Sequence, residues 1–290
     1  MIILLSGGQG QLAYDCKELL GTDHQVVVPE EKDLDITDPK KVTEKIRAVK
    51  PDVVLNCAAY TDVDGCETKK ELAWKINVDG ARNLAMGVAE FGGKLIHIST
   101  DYVFDGNRVP PEPYTEEDSP NPLSEYGKSK LEGEKAVIEI CPRYAIVRTA
   151  WLYGIGGRNF LKTILRLALK TPKGSLRVVN DQYGSPTWSR SLALQILKLI
   201  ETDGTGIYHA TSEGYCTWYE VAGHFLNKME IPVQIIPCTS EEYPTPAQRP
   251  FNSILENKRL KEAGINVMRD WKEDIDEFVE AYKEDLKASF

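Results

Sequence analysis

Apolar residues in the first half of the chain cluster in short β-branched runs at 2–6 (IILLS), 25–28 (QVVV), 53–57 (VVLNC), 94–99 (KLIHIS) and 145–149 (AIVRT). Between them, segments such as 38–50 (DPKKVTEKIRAVK) and 69–92 (KKELAWKINVDGARNLAMGVAEFG) carry apolar residues at helical spacing. Strands that are apolar on both faces and alternate with helices belong in a parallel sheet covered on both sides. The pattern predicts a Rossmann-like, doubly wound α/β domain over residues 1–150.

After Ala150 the pattern loosens. Helical stretches at 159–170, 189–201, 217–229 and 270–287 are separated by the short strands LRVV, GIYHA and VQIIP and by proline-containing loops, the last being EYPTPAQRPFNS. Residues 151–290 are expected to form mainly a smaller α+β substrate-binding lobe, with some segments returning to the first domain.

Composition narrows the class. The 290 residues are 42% apolar, enough for a sizeable core, and no apolar stretch reaches the roughly 18 residues needed to cross a bilayer. The opening MIILLSGG has no basic leader, and the six cysteines form no C-x-x-C pair; both fit a soluble, unprocessed, cytoplasmic protein. Cys57, inside an apolar run, reads as a buried free thiol. A formal charge of −9 with no basic block argues against nucleic acid as a partner. The four histidines are far apart and show no metal-ligand spacing, so no metal site is expected.

Candidate chemistry starts at the first turn. SGGQGQLAYD follows the first strand directly, with Gly7, Gly10 and Ala13 giving G-x-x-G-x-x-A at the head of a helix. Such glycines let backbone approach a pyrophosphate, and the helix N-terminus, here at Gln11 and Leu12, presents free N–H groups to it. Glu30 ends the second run where a carboxylate suits an adenosine ribose 2′-hydroxyl, yet Lys32 suits a 2′-phosphate, so NADH and NADPH both stay open. Asp35 and Ile36 suit an adenine edge, although Asp35 equally suits turn chemistry. Ala58 and Ala59, after the third run, let a ligand lie against backbone.

The later strand ends in Ser99, Thr100 and Asp101, and SEYGKSKLEGEK comes after it. With 13 tyrosines and 23 lysines in 290 residues, about one Tyr-x-x-x-Lys is expected by accident. Context decides: Tyr126 and Lys130 share a helix face and converge with the glycine turn on one sheet edge, where a lysine ammonium would lower the phenol's pKa from near 10.

This combination resembles the extended short-chain dehydrogenase/reductases. Within them, GQGQL, LDITDP, NCAAYTDVDGCE, STDYVFDG, YGKSKLEGE, RTAWLYG, NDQYGSPT and YPTPAQRPFNS, running nearly end to end, are similar to the dTDP-4-dehydrorhamnose reductase family. The resemblance implies NADPH or NADH as cofactor, held around Gly10, Gln11, Leu12, Glu30, Asp35, Ile36, Ala58, Ala59 and Tyr60. It implies a dTDP-linked 4-keto-6-deoxy sugar as substrate, with Thr100, Asp101 and Trp151 at the hexulose. Tyr126 would exchange the proton, with Lys130 tuning it and holding the nicotinamide ribose. Trp151 suits a core position equally well, and Arg249 either caps a loop or offers a five-donor guanidinium to the substrate diphosphate.

Some relatives hold a metal at a dimer contact through a carboxylate shortly after the PT motif; PTWSRS places Arg190 there, so no such site is expected and a homodimer stays open. Nucleotide-sugar dehydratases and epimerases are the nearest rivals. Dehydratases follow their threonine with Asp-Glu, whereas this chain reads Thr100-Asp101-Tyr102. A non-catalytic binder, resembling the regulatory subunit of methionine adenosyltransferase, is the rival of another class.

Overall fold

The computed structural model describes residues 1–171 and 174–290. In the first half, strands β1 (Ile2–Ser6), β2 (Gln25–Val27), β3 (Val53–Asn56), β4 (Lys94–Thr100) and β5 (Tyr144–Thr149) alternate with helices α1 (Gln11–Leu20), α2 (Pro39–Val49), α3 (Val63–Thr68), α4 (Lys70–Trp74), α5 (Gly80–Phe91) and α6 (Glu125–Ile140). Local chemistry explains the helix starts. Asp38 caps α2 by accepting from the Lys40 and Lys41 amides, with Pro39 in the first turn. Ser124 caps α6 by accepting from the Gly127 amide, which fixes the helical phase of Tyr126 and Lys130.

The second half adds β6 (Leu152–Tyr153), α7 (Phe160–Lys170), β7 (Ser175–Val179), β8 (Tyr183–Gly184), β9 (Thr187–Trp188), α8 (Ser189–Glu201), β10 (Gly206–His209), β11 (Cys216–Thr217), α9 (Trp218–Lys228), β12 (Gln234–Cys238), α10 (Lys258–Glu262) and α11 (Trp271–Ala288). The central sheet is parallel, in the order β10-β5-β4-β3-β1-β2. Its crossover helices lie on both faces. One face packs Leu12, Cys16 and Leu20 of α1 beside Leu192, Ile196 and Leu199 of α8. The other packs α2, α5 and α6 through Val42, Ile46, Leu84, Val88 and Val137. A further core unites Leu165 of α7, Phe225 of α9, Phe278 of α11, Tyr153 and Trp188. The chain therefore leaves the sheet after β5 and returns to it with α8 and β10.

The helical segment at 69–92 is interrupted. Lys75–Asp79 forms a π-turn between α4 and α5, an insertion that periodicity cannot register. The turn aims Asn77 at two neighbours: its carbonyl accepts from the Tyr60 amide at 2.8 Å, and its amide donates to the Ser129 hydroxyl at 2.9 Å. Helix α6 approaches closely because Gly133 has no side chain; a Cβ there would lie 2.3 Å from the Asn77 carbonyl oxygen. The loop after β3 is thereby tied to the helix that carries Tyr126.

Candidate active site

The first turn is built from bare backbone. Gly7 has φ +72°, and a Cβ on it would lie 2.6 Å from the Ala58 nitrogen. The Gly10 amide donates to the Gly7 carbonyl at 2.9 Å, and Gly10, as N-cap of α1, supplies no side-chain acceptor to the helix's first N–H groups. An anion therefore meets uncapped donors. Ala13 is buried, so the alanine in place of the third glycine fits. Gln11 also reaches sideways: its amide donates to the Leu152 carbonyl at 2.9 Å, joining the turn to the segment after β5.

The expected adenosine positions lie along the neighbouring strand ends. Glu30 and Lys32 pair with each other at 2.7 Å and are exposed. Asp35 accepts from both the Thr37 amide (2.9 Å) and hydroxyl (2.8 Å), bonds that pull its carboxyl below the usual range. It performs turn chemistry here, and Ile36 is buried against Gly80. The Ala58 amide donates to Asn56, and Ala59 lines a cleft shared with Thr100, Tyr126 and Lys130.

That cleft, about 500 Å³, opens at the carboxyl ends of the strands. It brings together Gly10, Gln11, Leu12, Ala59, Thr100, Asp101, Tyr126, Lys130 and Trp151 from distant parts of the chain. Gly7, Glu30, Asp35, Ile36, Ala58, Tyr60 and Arg249 lie outside its lining. Cys57 is half-buried and lines the cleft, which corrects its reading as a core thiol, because β3 ends one residue earlier than its apolar run.

Thr100 donates to the Asp101 carboxylate at 2.8 Å and accepts from the Tyr102 amide at 3.2 Å. The Tyr102 and Tyr126 rings meet edge to face, 5.5 Å apart. Burial pushes the Tyr126 phenol above its ordinary pKa, and a hydrogen bond with Thr100 pulls it partly back. The expected lowering by Lys130 is therefore corrected: desolvation of the phenolate dominates, with the Asp101 charge adding to it, and the pull that opposes them comes from Thr100 rather than Lys130. Lys130 donates to the Ile98 carbonyl at 2.7 Å, and burial brings its ammonium down to about 8 against the opposing pull of Glu134 and Cys57.

Burial also pushes Asp101 up to about 6, against hydrogen bonds from Thr100 and Ser253 that favour its charge. A carboxyl raised from 3.8 stabilises the fold fully below pH 3.8, and that contribution is lost as pH rises through about 6. Asp101→Asn is therefore expected to unfold at higher urea than the parent above pH 7, by at most about 3 kcal/mol, and to converge with it toward pH 4. Urea melts at pH 4, 5.5 and 7.5 test this; a variant no more stable than the parent at pH 7.5 contradicts it.

Sequence reasoning missed Trp218. It stacks on Trp151 with centroids 3.5 Å apart and planes at 8°, and its indole N–H donates to the Gln182 side-chain oxygen at 3.2 Å. Trp151 itself has φ +46°, and Gly184 clears space for it, since a Cβ there would lie 2.5 Å from the Trp151 ring. The NDQYGSPT segment thus sets the aromatic wall of the cleft. The segment WYE at 218–220 also belongs to the motifs shared with the reductases, but neither that match nor its local helical pattern points to a stack with a residue 67 positions away.

Arg249 makes a two-point pair with Asp64, at 3.1 and 3.0 Å, and Asp64 also accepts from the Ala247 amide. The guanidinium therefore pins the proline-rich loop to α3. Arg190, at the position considered for a metal ligand, pairs with Glu18 at 3.4 Å. Among the described residues no helix is long and apolar enough to cross a membrane.

A parallel doubly wound sheet, an uncapped helix behind a glycine turn, and Thr, Tyr and Lys in one cleft define a dinucleotide-dependent oxidoreductase of the short-chain class. The family profile described as RmlD substrate binding domain matches residues 1–284. A dTDP-4-dehydrorhamnose reductase of Escherichia coli (strain K12) is 37% identical over 288 residues, covering 93% of this chain and 94% of that one. The crystal structure of such a reductase from Clostridium acetobutylicum superposes with a TM-score of 0.94 at 44% identity, covering 98% and 100% of the two chains. Another, from Bacillus anthracis in complex with NADP, gives 0.93 at 39% identity, covering 97% and 99%. The chain belongs to the dTDP-4-dehydrorhamnose reductase family, whose members are NAD(P)H-dependent reductases.

Proposed function

We propose that this protein reduces the 4-keto group of dTDP-6-deoxy-L-lyxo-4-hexulose to give dTDP-L-rhamnose, with Tyr126 delivering the proton. The observation that carries this reading is the convergence of Thr100, Tyr126 and Lys130 on the cleft that Gln11 and Leu12 of α1 also line. Gly7, Gly10 and the uncapped start of α1 suit a dinucleotide diphosphate, with Ala58, Ala59 and the Glu30–Lys32 pair beyond it. NADPH or NADH supplies the hydride when bound.

The chain's own residues do the remaining work. A phenol kept protonated by burial holds its proton for the oxygen that becomes an alkoxide, and the Thr100 hydroxyl bonds the same oxygen by turning its one proton away from Asp101. Lys130, anchored on the Ile98 carbonyl, serves the nicotinamide ribose and Tyr126. Trp151, backed by Trp218, offers the hexulose a flat apolar wall. The lobe formed mainly by residues 151–290 takes the nucleotide sugar, its loop steadied by the Arg249–Asp64 pair.

The decisive assay tracks loss of the reduced-nicotinamide absorbance, with the keto sugar generated in situ and NADH or NADPH in parallel. Oxidation that requires the keto sugar is expected, and the faster cofactor settles the Glu30–Lys32 question. Folded protein that oxidises neither cofactor overturns the proposal.

A further inference from the structure

We infer that Asn56 and His97 form a buried clamp that disfavours the ammonium form of Lys130, making His97 a positioning residue of the reduction site. The inference rests on the proposed role of Lys130 and extends it to two side chains beneath the cleft.

The amide orientation of Asn56 is fixed by its neighbours. Its oxygen receives the Ser6 hydroxyl at 2.7 Å and the Ala58 backbone N–H at 3.1 Å. A backbone N–H cannot accept, so that side of the amide must be the oxygen. The Asn56 NH₂ then faces His97 Nδ1 at 2.9 Å, and Nδ1 must accept. A neutral imidazole that accepts at Nδ1 carries its proton on Nε2.

His97 Nε2 lies 3.5 Å from Lys130 Nζ. An Nε2–H aimed at an ammonium opposes donor to donor, whereas an amine turns a lone pair toward it. Asn56 and His97 are each 1% exposed, so water does not relieve the conflict. Among the described residues, the other titratable groups acting on Lys130 are Glu134 on α6, engaged by Arg148 of β5, and Cys57 after β3, while Tyr126 lines the same cleft one turn away on α6. Asn77 of the π-turn and Ser129 carry no charge. Burial and the Lys130 charge hold His97 well below its ordinary pKa, so its ring is neutral at working pH.

Two NMR readouts on the full chain test the clamp without needing turnover. In the parent protein, imidazole ¹⁵N shifts are expected to show His97 protonated on Nε2 and bare on Nδ1. A ¹³Cε-lysine titration, assigned with Lys130→Met, is expected to move up by about one pH unit in His97→Gln, a tenfold change in acidity, because glutamine can turn an oxygen toward Lys130. A proton found on Nδ1, or a Lys130 midpoint that moves by less than about 0.3 unit in a folded His97→Gln, overturns the clamp. If His97→Gln does not fold, the tautomer in the parent decides alone. Absence of turnover in the parent would strike the proposed function and leave both resonances as tests of the clamp.

Discussion

Tyr126→Phe is expected to lower turnover of the keto sugar by about 10²–10⁴-fold while leaving cofactor affinity within about twofold, the range a positioned general acid contributes. The ring edge that meets Tyr102 is retained, so packing within the cleft is preserved. The hydroxyl that burial keeps protonated is removed, together with its hydrogen bond to Thr100. Equal losses in kcat and kcat/KM would mark an interaction made in the transition state alone. Binding is checked by titrating NADPH and NADH against protein fluorescence, because Trp151 and Trp218 lie in the cleft. Turnover within tenfold of the parent would remove Tyr126 from the chemistry and return Tyr-x-x-x-Lys to the chance match that counting allows.

The largest stability effect is expected at Glu134. Its carboxylate takes two hydrogen bonds from Arg148, at 3.0 and 2.7 Å, with both side chains no more than 2% exposed. Arg148 also lies over the Phe104 ring at 5.3 Å. Glu134→Gln keeps the shape but leaves a guanidinium charge uncompensated away from water, at a cost of about 3–5 kcal/mol. For a chain of this size that corresponds to a fall of roughly 10 °C in Tm. Replacing both partners, as Glu134→Leu with Arg148→Met, should recover most of the loss, since neither charge then needs solvation. Thermal and urea melts of the single and double variants test this. A loss below about 1 kcal/mol for Glu134→Gln would show that water reaches the pair.

Much of the fold was legible because its signals are local. A strand apolar on both faces announces a covered parallel sheet, and Ile2–Ser6 and Ser189–Glu201 fall where their patterns put them. The Ser124 cap and the four-residue spacing put Tyr126 and Lys130 on one face of α6 whatever surrounds it. The returning strand β10 reads GIYHA from sequence, but which sheet it joins depends on partners, and it pairs with β5. The π-turn was hidden because an inserted residue leaves composition unchanged and shifts only the helical phase of the residues beyond it.

The amino-acid order by itself determined the alternation of strands and helices, the glycine turn, the capped start of α6 and the residue types that meet at the sheet edge. These depend on backbone sterics, on spacing and on side-chain period, which act within about a turn of the chain. Only the tertiary structure decided the rest. It set Trp218 against Trp151, committed Arg249 to Asp64 and raised rather than lowered the Tyr126 pKa. Each of those outcomes depends on how much water is excluded and on which distant group arrives, and neither quantity is carried by any short stretch of sequence.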